Sequence, residues 1–184
     1  QEPYTRSRDE VSSWTHGDAA AQIGLAEVVA HAHPTMLIGT STHSGAFTEA
    51  IVKDMADHTD RPIIMALSNP TSKCEALPED LIAWTNGRVL TATGSPFPPV
   101  VHGGRPYQIA QANNALIFPG LGLGVTVAKA HRISEQMIAA AADAVARISD
   151  ASAPGAALLP PMTDLRAVSA AVAIAVATAA AKEG

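Results

Sequence analysis

Three side-chain amides stand out as groups that could hold a small polar ligand. They are Asn69, in Ser68-Asn69-Pro70-Thr71, and the pair Asn113-Asn114, which precedes Ala115-Leu116-Ile117-Phe118-Pro119-Gly120. An amide offers both donors and acceptors, so it can orient a carboxylate or a carboxamide without adding charge. The asparagine pair stands next to an apolar, strand-like run and a Pro-Gly helix start, a setting that surface filling does not explain. Capping of a turn would account for one of the two. Two other polar stretches share the pattern of Asn69, namely Gly39-Thr40-Ser41-Thr42-His43-Ser44-Gly45 and Thr93-Gly94-Ser95-Pro96. Any one of them reads as an ordinary turn, because Gly, Ser, Asn and Pro are the usual turn residues. Three that each close an apolar run point instead to one edge of a sheet, and an open parallel sheet binds its ligands at the carboxyl ends of its strands.

Other chemistry has less support. Gly120-Leu121-Gly122-Leu123-Gly124 lacks the G-x-G-x-x-G spacing of a dinucleotide loop directly after a strand, so its glycines imply close packing of a helix on the sheet. The seven histidines show no metal-ligand spacing, and His31 and His33 flank a helix end where imidazole suits the dipole. No metal ligand is assigned to this chain. Cys74 lies beside Lys73, which could lower its pKa, but without an adjacent base the thiol reads as structural. Tyr4, Lys53 and Asp54 qualify for proton transfer by residue type alone, and no catalytic residue is assigned.

The elements that must position these groups alternate. Met36-Leu37-Ile38, Ile63 to Leu67 and Val89 to Ala92 are continuous apolar runs, as in strands covered on both faces. Helical spacing appears in Asp18 to Ala32, with Asp18 at the cap, in Ala46 to Asp57, and in Leu77 to Trp84, whose Pro-Glu-Asp start suits a first turn. This order predicts an α/β fold with a parallel sheet. Phe97 to Arg105 is rich in Pro and Gly and reads as a loop long enough to hint at function. Leu121 to Lys129, Ser134 to Ile148 and Asp164 to Lys182 then read as alanine-rich helices, the second capped by Ser134.

Whole-chain properties narrow the function classes. At 184 residues the chain can bury the core of one domain. A net charge of −5 with scattered Lys and Arg provides no field for nucleic acid. The stretch Ala167 to Ala181 falls short of the roughly 20 residues of a membrane span and reads as a packed helix, so no membrane partner is expected. One cysteine excludes an internal disulfide and fits a reducing, cytoplasmic location. Gln1-Glu2-Pro3-Tyr4 carries neither an initiator methionine nor a leader, so a longer parent chain is expected. Half of a doubly wound sheet would then expose an apolar strand edge and face.

Four segments, Pro34 to Ser41 with Gly45 to Glu49, Arg61 to Thr71, Ala92 to Val100 and Asn113 to Gly120, resemble the malic enzymes in order and spacing. The likeness extends over essentially the whole chain. It implies a Rossmann-like, doubly wound parallel sheet with a C-terminal helical segment. Residues 1–130 would be the later half of the dinucleotide-binding domain and 131–184 a helical extension packed on it. It implies oxidation of L-malate with NAD, or NADP, and with Mg2+ or Mn2+, followed by decarboxylation to pyruvate and CO2. The family's acid tyrosine, base lysine, metal carboxylates, malate-binding arginine and glycine-rich loop belong to an upstream part. That part is thus an expected partner, this chain alone is expected to be inactive, and a homo-oligomer is the expected assembly. By the same resemblance Asn69 would touch malate and the nicotinamide, Asn113 and Asn114 would hold malate, and Gly39, Thr40 and Ser41 would supply cofactor-contacting backbone. Gln1 falls where NADP-preferring relatives often carry a lysine, which favours NAD. Thr40 to Gly45 and Pro154 to Pro161 also resemble the malolactic enzymes, which convert malate to lactate with bound NAD, whereas Gly94-Ser95-Pro96-Phe97 is of the malic type. A non-catalytic ligand-binding or assembly module is the reading from a different class.

Overall fold

The structure is a computed structural model that describes residues 5–14 and 23–183. Gln1, Tyr4 and the Asp18 cap lie outside the described residues. A short helix, α1 (Arg8–Val11), precedes α2 (Leu25–Ala32), β1 (Met36–Gly39), α3 (Glu49–His58), β2 (Ile63–Ala66), α4 (Pro78–Trp84) and β3 (Leu90–Thr93). The first two strands are thus each followed by a polar tail and a helix. Thr48 caps α3 by accepting from the Ile51 amide, and Pro78 occupies the first turn of α4, where its missing N–H costs nothing.

The strands form one parallel sheet in the order β1-β2-β3-β6, and β6 (Ala110–Gln111) is a two-residue strand that no sequence pattern announced. Met36 pairs with Ile63 and Ile63 with Leu90, so the carboxyl ends of the first three strands stand level. The Phe97–Arg105 loop expected from sequence is instead largely a hairpin, β4 (Val100–His102) and β5 (Arg105–Tyr107). Gly103 and Gly104, with φ of 57° and 76°, make its two-residue turn, which requires left-handed backbone at both positions.

One face of the sheet is covered. Val29 of α2, Ile51, Val52 and Met55 of α3, and Leu81 and Ile82 of α4 close over Leu37 and Ile64 in a single apolar cluster. Each large aliphatic side chain buried there contributes about 1.5–3 kcal/mol. The expectation that the strands are covered on both faces fails at β1: Met36 and Ile38 are 47% and 53% exposed. The helices α2, α3 and α4 share one face, while on the other Met36 and Ile38 stay about half exposed, and Met36 faces Val145 and Leu159 only across a cavity. Beta1 also pairs with β2 alone among the described strands, so an apolar edge and an apolar face are both open.

A second cluster joins α5 (Phe118–Ala128), α6 (Glu135–Ala146) and α7 (Leu165–Glu183), through Leu121, Met137, Val145, Val168, Val172 and Val176. Ser134 caps α6 as expected, accepting from the Met137 amide at 3.2 Å. The strand-like run Ile117-Phe118 is no strand: a 3-10 turn, Asn114–Leu116, leads straight into α5 with Pro119 in its first turn. The glycines of α5 do permit close packing, but against α7 and not the sheet. A Cβ on Gly120 would lie 2.5 Å from that of Val172, and one on Gly124 would lie 2.7 Å from that of Val176. By length and composition the last helix could cross a membrane, yet its Val168, Val172, Ala173 and Val176 are buried against its neighbours.

Candidate active-site edge

Four strand tails meet at the carboxyl edge of the sheet, and hydrogen bonds join them in sequence. The Thr42 amide, after β1, donates to Ser68 Oγ, after β2, at 2.8 Å. Ser95 Oγ, after β3, donates to Asn69 Oδ1. Gln111 Nε2, at the end of β6, donates to the Gly94 carbonyl at 3.2 Å. Gly94 permits this spacing, since a Cβ there would stand 2.8 Å from Asn69 Nδ2 and closer still to the Leu67 carbonyl. The three polar stretches read from sequence are therefore one continuous surface.

Asn69 is exposed on that surface. Its Oδ1 is held by Ser95, while Nδ2 makes only a long contact of 3.4 Å to the Leu67 carbonyl. The side chain is thus turned to a fixed orientation with donor capacity to spare. Asn113 lies two residues beyond β6 and caps the 3-10 turn, its Oδ1 accepting from the Ala115 amide at 2.9 Å. Turn capping therefore explains half of Asn113 and leaves its amide donors. Asn114 is exposed beside it. A cavity of about 560 Å³ lies next to Asn113, lined by Met36, Met65, Leu116, Val145 and Leu159. Its lining is apolar and it lies between the second face of the sheet and α6, so it is not the polar edge itself.

Sequence reasoning missed the group beneath this edge. Glu75 is fully buried, and its carboxylate accepts from the amides and hydroxyls of both Ser41 and Ser68. Burial works to raise its pKa, but the bonds from Ser68 and Ser41 outweigh that and hold the carboxyl below its ordinary value. A lone acid between Cys74 and Ala76, in a segment otherwise folded inward, was the available signal. Ser95, which fixes Asn69, had been noted only as part of a turn.

The remaining candidates stand elsewhere. Cys74 is buried, its thiol donating to the carbonyls of Ala66 and Ala76. Burial pushes its pKa up, so the lowering expected from Lys73 does not occur. Lys53 pairs with Glu49 on an exposed turn of α3, and the partly buried Asp54 lies 3.9 Å from His58, both away from the strand tails. His33 caps α2 in a left-handed conformation and stacks on His58 at 3.8 Å. Among the described residues no group of three His, Cys, Asp or Glu side chains could hold a metal.

What this edge leaves for a polar ligand is the side-chain amide donors of Asn69 and Asn113, since the backbone amides of Ser41, Thr42, His43 and Ser68 are bonded within the protein. A family model described as malic enzyme, NAD binding domain, matches residues 1–181. The chain is 56% identical over 184 residues to NAD-dependent malic enzyme 3 of Bacillus subtilis (strain 168), covering 100% of this chain and 32% of that protein. It is 49% identical over 185 residues to the NAD-dependent malic enzyme of Sodalis glossinidius (strain morsitans), with the same coverage of each. The solved malic enzyme from Pyrococcus horikoshii Ot3 superposes with a TM-score of 0.67 at 28% identity, over 89% of this chain and 33% of that one. The malic enzyme of Entamoeba histolytica, at 24% identity and a TM-score of 0.68 over 91% of this chain and 31% of its own, shares the fold. The chain thus spans about a third of the length of the curated relatives it matches. It belongs to the malic enzyme family and lies within that family's NAD-binding domain.

Proposed function

We propose that the full-length protein oxidises L-malate with NAD and decarboxylates the product to pyruvate and CO2, and that this chain supplies groups that position malate and the nicotinamide. NADP is the second choice of cofactor, because the similar proteins named above are called NAD-dependent. In this reading residues 1–130 form the later half of the dinucleotide-binding domain and 131–184 the helical extension. The upstream part of the same protein docks on the open β1 edge, and the enzyme works in the cytoplasm as a homo-oligomer. The single observation that carries the site is the Ser95–Asn69 hydrogen bond, which sets an otherwise mobile amide at the junction of two strand tails.

NAD held at this edge would supply the acceptor for the hydride of malate C2. What these residues contribute is the pose. Gly39, Thr40 and Ser41 present backbone to the cofactor from the tail of β1, where Glu75 holds Ser41 in place. Asn69 reaches both ligands from the neighbouring tail, with one amide end held and the other free. Asn113 and Asn114 approach from the far strand, β6, and add neutral donors for a dicarboxylate. Hydride transfer needs the reacting atoms within roughly 3–3.5 Å, and groups fixed by their own hydrogen bonds hold that distance at low entropic cost. None of these amides moves a proton. The Mg2+ or Mn2+ expected for the reaction finds no ligand cluster among the described residues, so its carboxylates are assigned to the upstream part and no step is routed through it here.

The test is turnover by purified full-length protein given malate, Mn2+ and NAD or NADP. Pyruvate with stoichiometric NADH is expected. Lactate without net NADH would reassign the protein to malolactic chemistry, and absence of both products would defeat the proposal.

A further inference from the structure

Glu75 is a buried carboxylate whose charge is met by no cation among the described residues. Four donors meet it instead. Oε1 accepts from the Ser41 amide at 2.8 Å, from Ser41 Oγ at 3.0 Å and from Ser68 Oγ at 2.5 Å, while Oε2 accepts from the Ser68 amide at 3.3 Å. A carboxylate has about four lone-pair sites, so the donors match it in number, three crowding Oε1 and one on Oε2. An acid stripped of water in this way is strongly disfavoured unless such donors surround it.

All four donors come from two loops, and both loops carry candidate ligand contacts. Ser41 ends the Gly39-Thr40-Ser41 tail of β1, and Ser68 immediately precedes Asn69. The hydroxyls pass the constraint onward: Ser68 Oγ accepts from the Thr42 amide at 2.8 Å, and Ser41 Oγ accepts from the His43 amide at 3.1 Å. The backbone carbonyl of Glu75 also accepts from the Phe47 amide at 3.1 Å. Residue 75 therefore grips the β1–α3 loop at both ends. Gly39 leaves room for it, because a Cβ there would stand 2.6 Å from Glu75 Cδ.

We propose that Glu75 is a positioning residue of the active site, whose buried carboxylate sets the spacing between the cofactor-contacting loop at Ser41 and the substrate-contacting loop at Asn69. The inference rests on the function proposed above. It also predicts why glutamine cannot substitute. Each carboxylate oxygen faces a backbone N–H, Ser41 on one side and Ser68 on the other. Whichever way the amide of a glutamine turned, its NH2 would meet one of those donors. Serine hydroxyls can rotate away, but a backbone N–H cannot, so one loop must move.

The experiment uses the full-length protein. For Glu75→Gln, kcat/KM for malate is expected to fall roughly 100-fold, the consequence of a displacement near 1 Å at the reacting groups. NAD affinity measured by calorimetry should fall with it, at a temperature where circular dichroism shows the variant folded. A lower Tm with unchanged kcat/KM and unchanged NAD affinity would overturn the proposal, since a purely structural acid gives that result. Ser68→Ala should cost less, and the double variant should be no more than about threefold worse than Glu75→Gln alone, because both act through one contact. Losses that multiply would also overturn it. If Glu75→Gln does not fold, Ser41→Ala and Ser68→Ala carry the test, and unchanged NAD affinity in both defeats the idea. A wild-type enzyme that binds NAD but makes neither pyruvate nor lactate sinks the proposed function, while the NAD affinities of the variants still decide the role of Glu75.

Discussion

Gly94 and Gly120 each bring two segments closer than a side chain would allow, but they do so in opposite surroundings. At Gly94 the neighbours are the Leu67 carbonyl and the Asn69 amide, and Gln111 bonds the glycine's own carbonyl. At Gly120 the neighbours are the Val172 side chain and the Ser169 carbonyl of α7. The sheet edge is held by directed hydrogen bonds, which fix orientation. The helical part is held by volume, which fixes only distance. A polar change at the edge should therefore alter activity more than stability, and a steric change among the helices should do the reverse.

The largest expected effect tests the helical side. Gly120→Val pushes a branched side chain into Val172 and Ser169, and overpacking of this kind costs about 1–3 kcal/mol, with more where backbone must move. Urea unfolding of the full-length protein should show a loss at or above the top of that range, while the folded fraction keeps its kcat/KM. A variant as stable as wild type would break the contrast. On the edge side, Asn69→Ala removes a neutral partner of a charged ligand, an interaction of about 1.5–3 kcal/mol. Malate kcat/KM should fall by about 10- to 100-fold with Tm nearly unchanged; a large drop in Tm with intact kinetics would place Asn69 among structural residues.

Acid sensitivity sharpens the same contrast, because the one carboxylate buried among the described residues belongs to the edge. Its folded pKa is depressed, burial opposing and the Ser68 and Ser41 bonds prevailing. The stability it contributes is thus fully present above the ordinary glutamate value and is lost as pH falls through the lower folded value. Unfolding measured from neutral pH downward should show this loss in the wild type and lack it in Glu75→Gln. Equal acid profiles would mean that the carboxylate is not held as described.

Much of this was visible in the residues themselves. Three apolar runs with polar tails are the direct imprint of parallel strands whose ends bind ligand, and Asn69 could be selected because its tail follows such a run. The hairpin at 100–107 was hidden by Pro98, Pro99 and Pro106, although Gly103-Gly104 between two β-branched or aromatic stretches was its signature. Beta6 spans two residues, too few for any period to register. Ile117-Phe118 imitated a strand because local apolarity does not encode the cap that Asn113 provides. Glu75 was illegible for a different reason: its role depends on Ser41, 34 positions away, and no local pattern reports a contact at that range.

Two small effects complete the comparison. Gly122 faces open space on the outer side of α5, with nothing near an added Cβ, so Gly122→Ala should raise stability by about 1 kcal/mol through helix propensity alone. It would do so two residues, about half a turn, from glycines where the same change is harmful. The smallest effect is at Lys53, which pairs with Glu49 across one turn of α3 at 2.5 Å with both side chains about half exposed. Such i,i+4 pairs are worth about 0.3–0.5 kcal/mol. Lys53→Ala should therefore shift urea unfolding barely beyond error and leave kcat unchanged. Lysine is the residue type expected of a general base, so a collapse of kcat in this variant would move the chemistry from the strand tails onto α3. Helix α3 covers the sheet with its buried face, Ile51, Val52 and Met55, and turns Lys53 to solvent, which is why the small effect is the expected one.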